Sequence, residues 1–429
     1  MKTKLPPQKS TSIKKAASIF LLALGFSILA LPAATYTYTG VQGTSDIWRT
    51  TFGSATGRAT WSDGVTSGLA WPSQANGAET TTAVFGGTPG YAIRVSGGDV
   101  NTIIYAYGLV LNTTGWSFTS NEIKLGAGGV DMSALTSGTI TFGATNGGSL
   151  GLTADQTWKL GSGTTVDATS VDQGNQTVTR VAVNGKALAL NTTGTATSTV
   201  NINVSGSGIL AKTGTGTVVL GARYAGYNAG ASANFTGSIE AREGTLILST
   251  AVQNTVAGVT VKNGGRLGGT VATPSTSLIE AATTVEGGGT LLAGTGTTGT
   301  TLTISGNLTL NDDSRIELTL GPSLAHSTLK RNGGTWVFDS NQGFVISGIG
   351  FTTGIYDNVI SGLTGTEAGL NTIGSWVVVG EGVQGIFTYD NAGGVDLQVT
   401  AVPEPGATSL IIAGGLLVLV LRRKSRRIA

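Results

Sequence analysis

The side chains that could do chemistry are few and scattered. The chain has one histidine, His326, flanked by Ser323 and Ser327. A Ser-His-Asp triad needs all three groups to converge, and no G-x-S-x-G elbow accompanies this histidine. It reads as a solvated loop residue. Asp312 and Asp313 with Glu317 form the one acidic cluster, following Asn311 between two strand-like runs. Carboxylates that cleave a glycosidic bond must flank it, whereas neighbours in a strand point to opposite faces. Asp312 and Asp313 therefore read as turn residues. Asp167 and Asp172 stand apart, and Gly128-Gly129-Val130-Asp131 is a single imperfect fragment of a calcium-binding glycine repeat. Glycine-rich phosphate loops need a strand-loop-helix setting, which this body lacks. Cysteine is absent, which removes disulfides and thiolate metal ligands. The sequence assigns no catalytic residue, no metal site and no cofactor.

The elements that would position these groups are strands. Glycine makes up 68 of 429 residues, and charged residues only 11%. That low charge, with 40% apolar residues, argues against disorder. Thr, Val, Ile and Leu favour strands, while Gly and Asn supply turns. The formal charge of +2 is misleading. Residues 1–34 hold five lysines and no acid, and residues 402–429 hold five basic residues and Glu404. Taking ten from 25 basic and one from 23 acidic residues leaves 15 and 22, so 35–401 carries about −7. A nucleic-acid partner, which requires clustered Lys and Arg, is thereby disfavoured.

Residues 35–125 are aromatic-rich, with Trp48, Trp61, Trp71 and Trp116 irregularly spaced. Bulky side chains there fit an N-terminal β cap, because the ends of a stacked β structure must be closed. Exposed, the same rings could stack on sugars. Residues 126–320 form a string of short strands between glycines, such as TITF at 139–142, VNINV at 200–204 and TLTI at 301–304. No helical stripe interrupts them. Nearly 200 residues of this pattern fit a solenoid, in which each coil buries its apolar row against its neighbours. Residues 321–401 carry longer aromatic strands (334–338, 343–347, 376–379, 385–389 and 395–399), expected to form a small antiparallel closing unit. The expected class is all-β: a parallel β-helix or solenoid with β caps, plus an N-terminal signal helix and a C-terminal transmembrane helix.

Both termini carry export features. Lys14 and Lys15 precede the apolar run 16–31 and then Pro32-Ala33-Ala34, the order of a secretory signal peptide over 1–34. At the other end Val402, Pro403, Glu404, Pro405 and Gly406 precede an apolar run at 407–421. The basic cluster Arg422, Arg423, Lys424, Arg426 and Arg427 closes the chain within 422–429. The two prolines prevent a helix from running in from upstream. Fifteen apolar residues are short for a bilayer that wants roughly 17–25, a shortfall that arginine snorkelling relieves. The positive-inside rule puts the arginines in the cytoplasm and the body outside.

In this order and position, 402–429 resembles the PEP-CTERM sorting signal of Gram-negative bacteria. The resemblance implies cleavage by an exosortase, a membrane cysteine protease, after export through the Sec machinery and signal peptidase. It also implies transient anchoring in the inner membrane and association with biofilm or exopolysaccharide. A second resemblance lies at 206–250. Gly206, Gly208, Leu210, Lys212, Gly214, Gly216, Thr217, Val219 and Leu220, then Phe235-Thr236-Gly237 and 243–248 (EGTLIL), are similar to the autotransporter-associated β-strand repeat. In that reading Leu210, Val218, Leu220, Ile239, Leu246 and Leu248 face inward. The turn is enlarged by 223–233, where Tyr224 and Tyr227 could contact a polysaccharide. The repeat implies a passenger-like adhesive stalk, although no C-terminal outer-membrane barrel follows it. Together these point to an exported structural or adhesive surface protein that is not an enzyme. The alternatives are a polysaccharide-binding module and a β-helix lyase or hydrolase.

Overall fold

The segment Thr197–Ile202 (TSTVNI) shows how the chain organises itself. Ser198, Val200 and Ile202 are buried while Thr197, Thr199 and Asn201 face outward, the two-residue period of a strand with one face in a core. A short strand of this kind cannot bury its apolar face alone, so successive coils stack. The computed structural model describes residues 33–39, 46–48, 61–72, 78–87, 93–95, 103–120, 122–143, 150–168, 181–221, 234–270, 278–380 and 382–401. All lie within one unit, Ala33–Ala429.

These residues build an 18-stranded sheet, a 13-stranded sheet and a 5-stranded sheet, here the first, second and third. The chain passes from first to second sheet coil after coil, and strands in successive coils pair in parallel. Register places like on like. In the first sheet Leu188, Leu210, Ile239 and Val259 form one inward column. In the second sheet the column runs Val218, Leu246, Leu267, Leu291, Ile316 and Phe344. All of these side chains are buried. So are the six inward residues expected in the 206–250 segment. From Val252 onward, bridges through Ile279 to Ile304 start the third sheet, which continues as Thr328–Arg331 and Gly354–Ser361.

Parallel stacking runs past both expected boundaries. Thr81–Phe85 pairs in parallel with Ile104–Leu111, and that strand with Ile123–Asp131. Among the described residues, only the short strands Trp61–Ser62 and Ser67–Leu69 join antiparallel at the first end. The expected antiparallel unit over 321–401 is corrected in part. Trp336–Val337, Gly343–Ser347 and Val377–Val379 continue the parallel ladders. Gln384–Tyr389 and Gly394–Ala401 do close the third sheet antiparallel against Gly354–Ser361. The physical reason is that alternation encodes which face is buried but not the direction of the partner strand, which connection geometry decides.

The tryptophans are interior. Trp48, Trp61 and Trp71 are at most 1% exposed, and with Tyr38, Phe85 and Trp116 they pack edge-on or tilted at ring distances near 5–6 Å. They fill the first coils and offer no face to a sugar. Helix among the described residues is confined to the 3-10 turns Pro322–Leu324 and Leu370–Ser375, and none is long and apolar enough to cross a membrane. Residues 1–32 of the expected signal peptide 1–34, the sorting tail 402–429 and the 222–233 loop lie outside the described residues, while Ala34 begins the strand Ala34–Tyr38.

The ladder is intolerant of added or removed atoms. Gly244 has φ +65°, and a Cβ there would collide with the Gly214 and Gly216 carbonyl oxygens of the preceding coil. Leu246→Ala empties a buried column position and is expected to cost about 2–5 kcal/mol. Gly244→Ala is expected to destabilise as well. Chemical denaturation of each variant against the parent chain measures both.

Candidate functional site

The residues singled out in the sequence do not assemble a triad. His326 Nδ1 lies 3.0 Å from the Ser327 carbonyl oxygen, and its ring stands edge-on to Tyr356. The Ser327 hydroxyl is buried and accepts the Thr319 N–H at 2.9 Å. Ser323 sits exposed in the 3-10 turn, where its φ is +58°. Asp131 pairs with Lys159 at 3.0 Å. Burial pushes its carboxyl up, but the Ser133 hydroxyl and N–H and the Lys159 ammonium outweigh this and hold it below the usual range. Asp167 lies in the strand Thr164–Ala168, in register with Asn201, and Asp172 is outside the described residues.

The acidic cluster is rearranged. Glu317, on Arg315–Thr319, is nearly buried and pairs with Arg266 at 2.5 Å, 51 residues away. Asp312 and Asp313 remain in the turn before that strand, with Asp313 at φ +63°. One coil later Asp339, Ser340 and Asn341 make the corresponding turn, because Arg315 is in register with Gly343, an offset of 343 − 315 = 28 residues. The two turns border a groove of about 600 Å³. Its apolar side is Val377 and Val379, 47% and 38% exposed, on the last strand of the second sheet. Arg315 contributes the single cation of the lining among the described residues.

Asp339 accepts the Asn341 N–H at 3.3 Å, which shapes its turn. Among the described residues no three His, Cys, Asp or Glu side chains are grouped to hold a metal ion. The groove is lined by carboxylates, an amide, hydroxyls and valines. Sequence reasoning kept Asp312 and Asp313 as turn residues and missed Asp339, Ser340, Asn341, Val377 and Val379. The 28-residue coil offset was the signal that would have brought 312 and 339–340 together.

A second polar feature lies inside the solenoid. Lys212 occupies an inward column between Leu190 and Ala241 and is 1% exposed. Its stem fills the core, and its ammonium donates to the carbonyl oxygens of Thr213 (2.8 Å), Gly214 (2.5 Å) and Glu243 (3.1 Å). The Glu243 carboxylate accepts the Gly214 N–H at 3.1 Å. Two stacked corners are thereby joined. Burial lowers the Lys212 ammonium to about 8, opposed by the Glu243 charge. This position is a structural staple, closed to solvent.

Comparison with known proteins is negative: no family model matches the chain, and no curated protein matches it.

Lys212→Met keeps the apolar stem and strips the donors. It is expected to destabilise by about 1–3 kcal/mol, the cost of unpaired corner carbonyls. The folded pKa lies below the unfolded one, so above pH 8 the folded chain sheds a proton that the unfolded chain holds up to 10.5. The parent chain is therefore expected to gain stability relative to Lys212→Met between pH 8 and 10.5. Denaturation midpoints measured across that window check the sign.

Proposed function

We propose that this chain is an exported, non-enzymatic structural or adhesive protein of the cell surface or extracellular matrix. The observation that carries this reading is the pair of parallel ladders, one from Thr81–Phe85 to Trp336–Val337 in the first sheet and one from Asp46–Trp48 to Val377–Val379 in the second. A solenoid of this kind is stiff along its axis because each coil is held by hydrogen bonds and apolar contact to the next. Its described polar clusters serve turns and corners. The Lys212 ammonium is spent on three carbonyls, and Glu317 on Arg266.

Export rests on the terminal residues. In this proposal 1–34 is a signal peptide used by the Sec machinery and signal peptidase. Val402-Pro403-Glu404-Pro405-Gly406, the run 407–421 and the basic cluster form a PEP-CTERM sorting signal. The inner membrane holds the precursor transiently, an exosortase releases it, and the body joins a biofilm or exopolysaccharide. The residues of 206–250 support kinship with the autotransporter-associated β-strand repeat. Their glycines fall where a side chain would strike the preceding coil, as Gly208 and Gly244 do.

A second reading, a polysaccharide-binding module, is favoured by the groove between the 312–313 and 339–341 turns. Hydrogen-bonding groups there border an exposed apolar strip, a combination that can meet the hydroxyls and C–H groups of a sugar. The tryptophans do not contribute to it, since they are interior.

Intact-mass analysis of the protein from exosortase-positive and exosortase-null cells tests the primary reading. The expected result is a shortened, released form only when the exosortase is present. Full-length, membrane-bound protein in both strains would sink the sorting proposal.

A further inference from the structure

At the second end of the solenoid all three sheets stop, and they stop differently. The first ladder ends in the two-residue strand Trp336–Val337, which a bridge from Val337 to Ala368 covers. The second ends in the three-residue strand Val377–Val379. The third ends in Gln384–Tyr389, six residues that pair only with Gly394–Ala401 among the described residues. Sheet edges are ordinarily blunted by shortness, lysine or proline. The strand QGIFTY holds no charge and no proline, and its one irregularity is a bulge between Gln384 and Gly385.

The phase of the hydrogen bonds fixes which groups this edge leaves open. Antiparallel partners exchange bonds at alternate residues. The Asp390 N–H donates to the Gly394 carbonyl at 3.0 Å, so Thr388 and Ile386, in register with Asp396 and Gln398, bond to the same partner strand. Gly385, Phe387 and Tyr389 therefore turn their N–H and C=O groups outward. Inside, Phe387 stacks on Phe344 at 4.1 Å and holds the strand in place, while Ile386 and Thr388 are exposed.

We propose that this edge pairs with the same edge of a second copy, antiparallel about a two-fold axis at Phe387. A second copy is the occupant because the edge is complementary to itself. Its open groups lie symmetrically about 387, so two copies meet with 385 opposite 389 and 387 opposite 387, each donor facing an acceptor. Ile386 then packs on Thr388 of the second copy, an apolar on a β-branched residue. Gln384 faces Asp390 of the second copy, amide to carboxylate, and no like charges meet. A pair of six-residue strands buries less than the roughly 1,200 Å² of a standard interface. The dimer is therefore expected to be weak in solution and favoured where many copies share a surface.

The test uses the full-length chain in mild detergent, because of the apolar run 407–421. The chain has no cysteine, so introduced thiols report only their own neighbours. Facing residues of a non-hydrogen-bonded antiparallel pair have Cα atoms about 4.5 Å apart, within disulfide range. On oxidation, Ile386→Cys mixed with Thr388→Cys is expected to give disulfide-linked dimer in excess of either variant alone and of Val65→Cys, an exposed control position. Sedimentation velocity supplies a second readout. Ile386→Lys combined with Thr388→Lys sets two like-charged pairs across the axis and is expected to weaken the dimer about tenfold. Ile386→Lys combined with Thr388→Glu makes the same pairs attractive and is expected to restore it. Both positions are exposed, so these changes leave the core intact.

A mixture that yields no more disulfide than the single variants overturns the proposal. So does an opposite-charge variant that associates as weakly as the like-charge one. Association of the parent chain that the like-charge variant leaves unchanged also overturns it, by placing the contact elsewhere on the chain.

Discussion

Everything in this protein depends on one constraint: a residue facing inward on one coil must pack on the residue in register on the next. The parallel ladder fixes strands about 4.8 Å apart, closer than two mismatched large side chains tolerate. Columns such as Val218, Leu246, Leu267 and Leu291 satisfy the constraint with residues of similar size. Where the columns are aromatic, as at Phe118 and Phe142, the rings stack at 5.2 Å. The same constraint explains the glycine content. At Gly208 and Gly244 a Cβ would strike a carbonyl of the preceding coil.

That constraint also sorts the polar groups. Inside, the Lys212 charge is received by corner carbonyls. At the far end Arg331 approaches Glu367 at 3.6 Å, and Glu367 accepts the Thr364 N–H and hydroxyl and the Gly365 N–H, which hold together the loop that follows the third sheet's parallel strands. Outside, polar residues are free to vary, and they gather where turns of successive coils stack. The groove beside 312–313 and 339–341 is such a place. Its carboxylates come from two coils and its valines from the strand that ends the second sheet.

Scaffold and binding readings are compatible on this architecture. A solenoid keeps its stability in the interior columns, which leaves turn residues available for recognition without cost to the fold. The proposed extracellular role would use both properties. The body's charge of about −7 after both termini are set aside is in keeping with a cationic or neutral partner.

The sequence alone determined the β class, the stacked character and the inward set Leu210, Val218, Leu220, Ile239, Leu246 and Leu248, because alternation and glycine spacing are local signals. It also carried the order of the terminal segments, from which the export reading comes. It did not determine strand direction near the second end, where Trp336–Val337 and Gly343–Ser347 run parallel despite an alternation equally suited to a hairpin. Nor did it place the candidate site. Glu317 lies four residues from Asp313 in the chain but pairs with Arg266, while Asp339 shares a groove with Asp312 and Asp313 across a full coil. Local sequence sets which face each residue takes. Only the coil length and the stacking register decide which distant turns become neighbours.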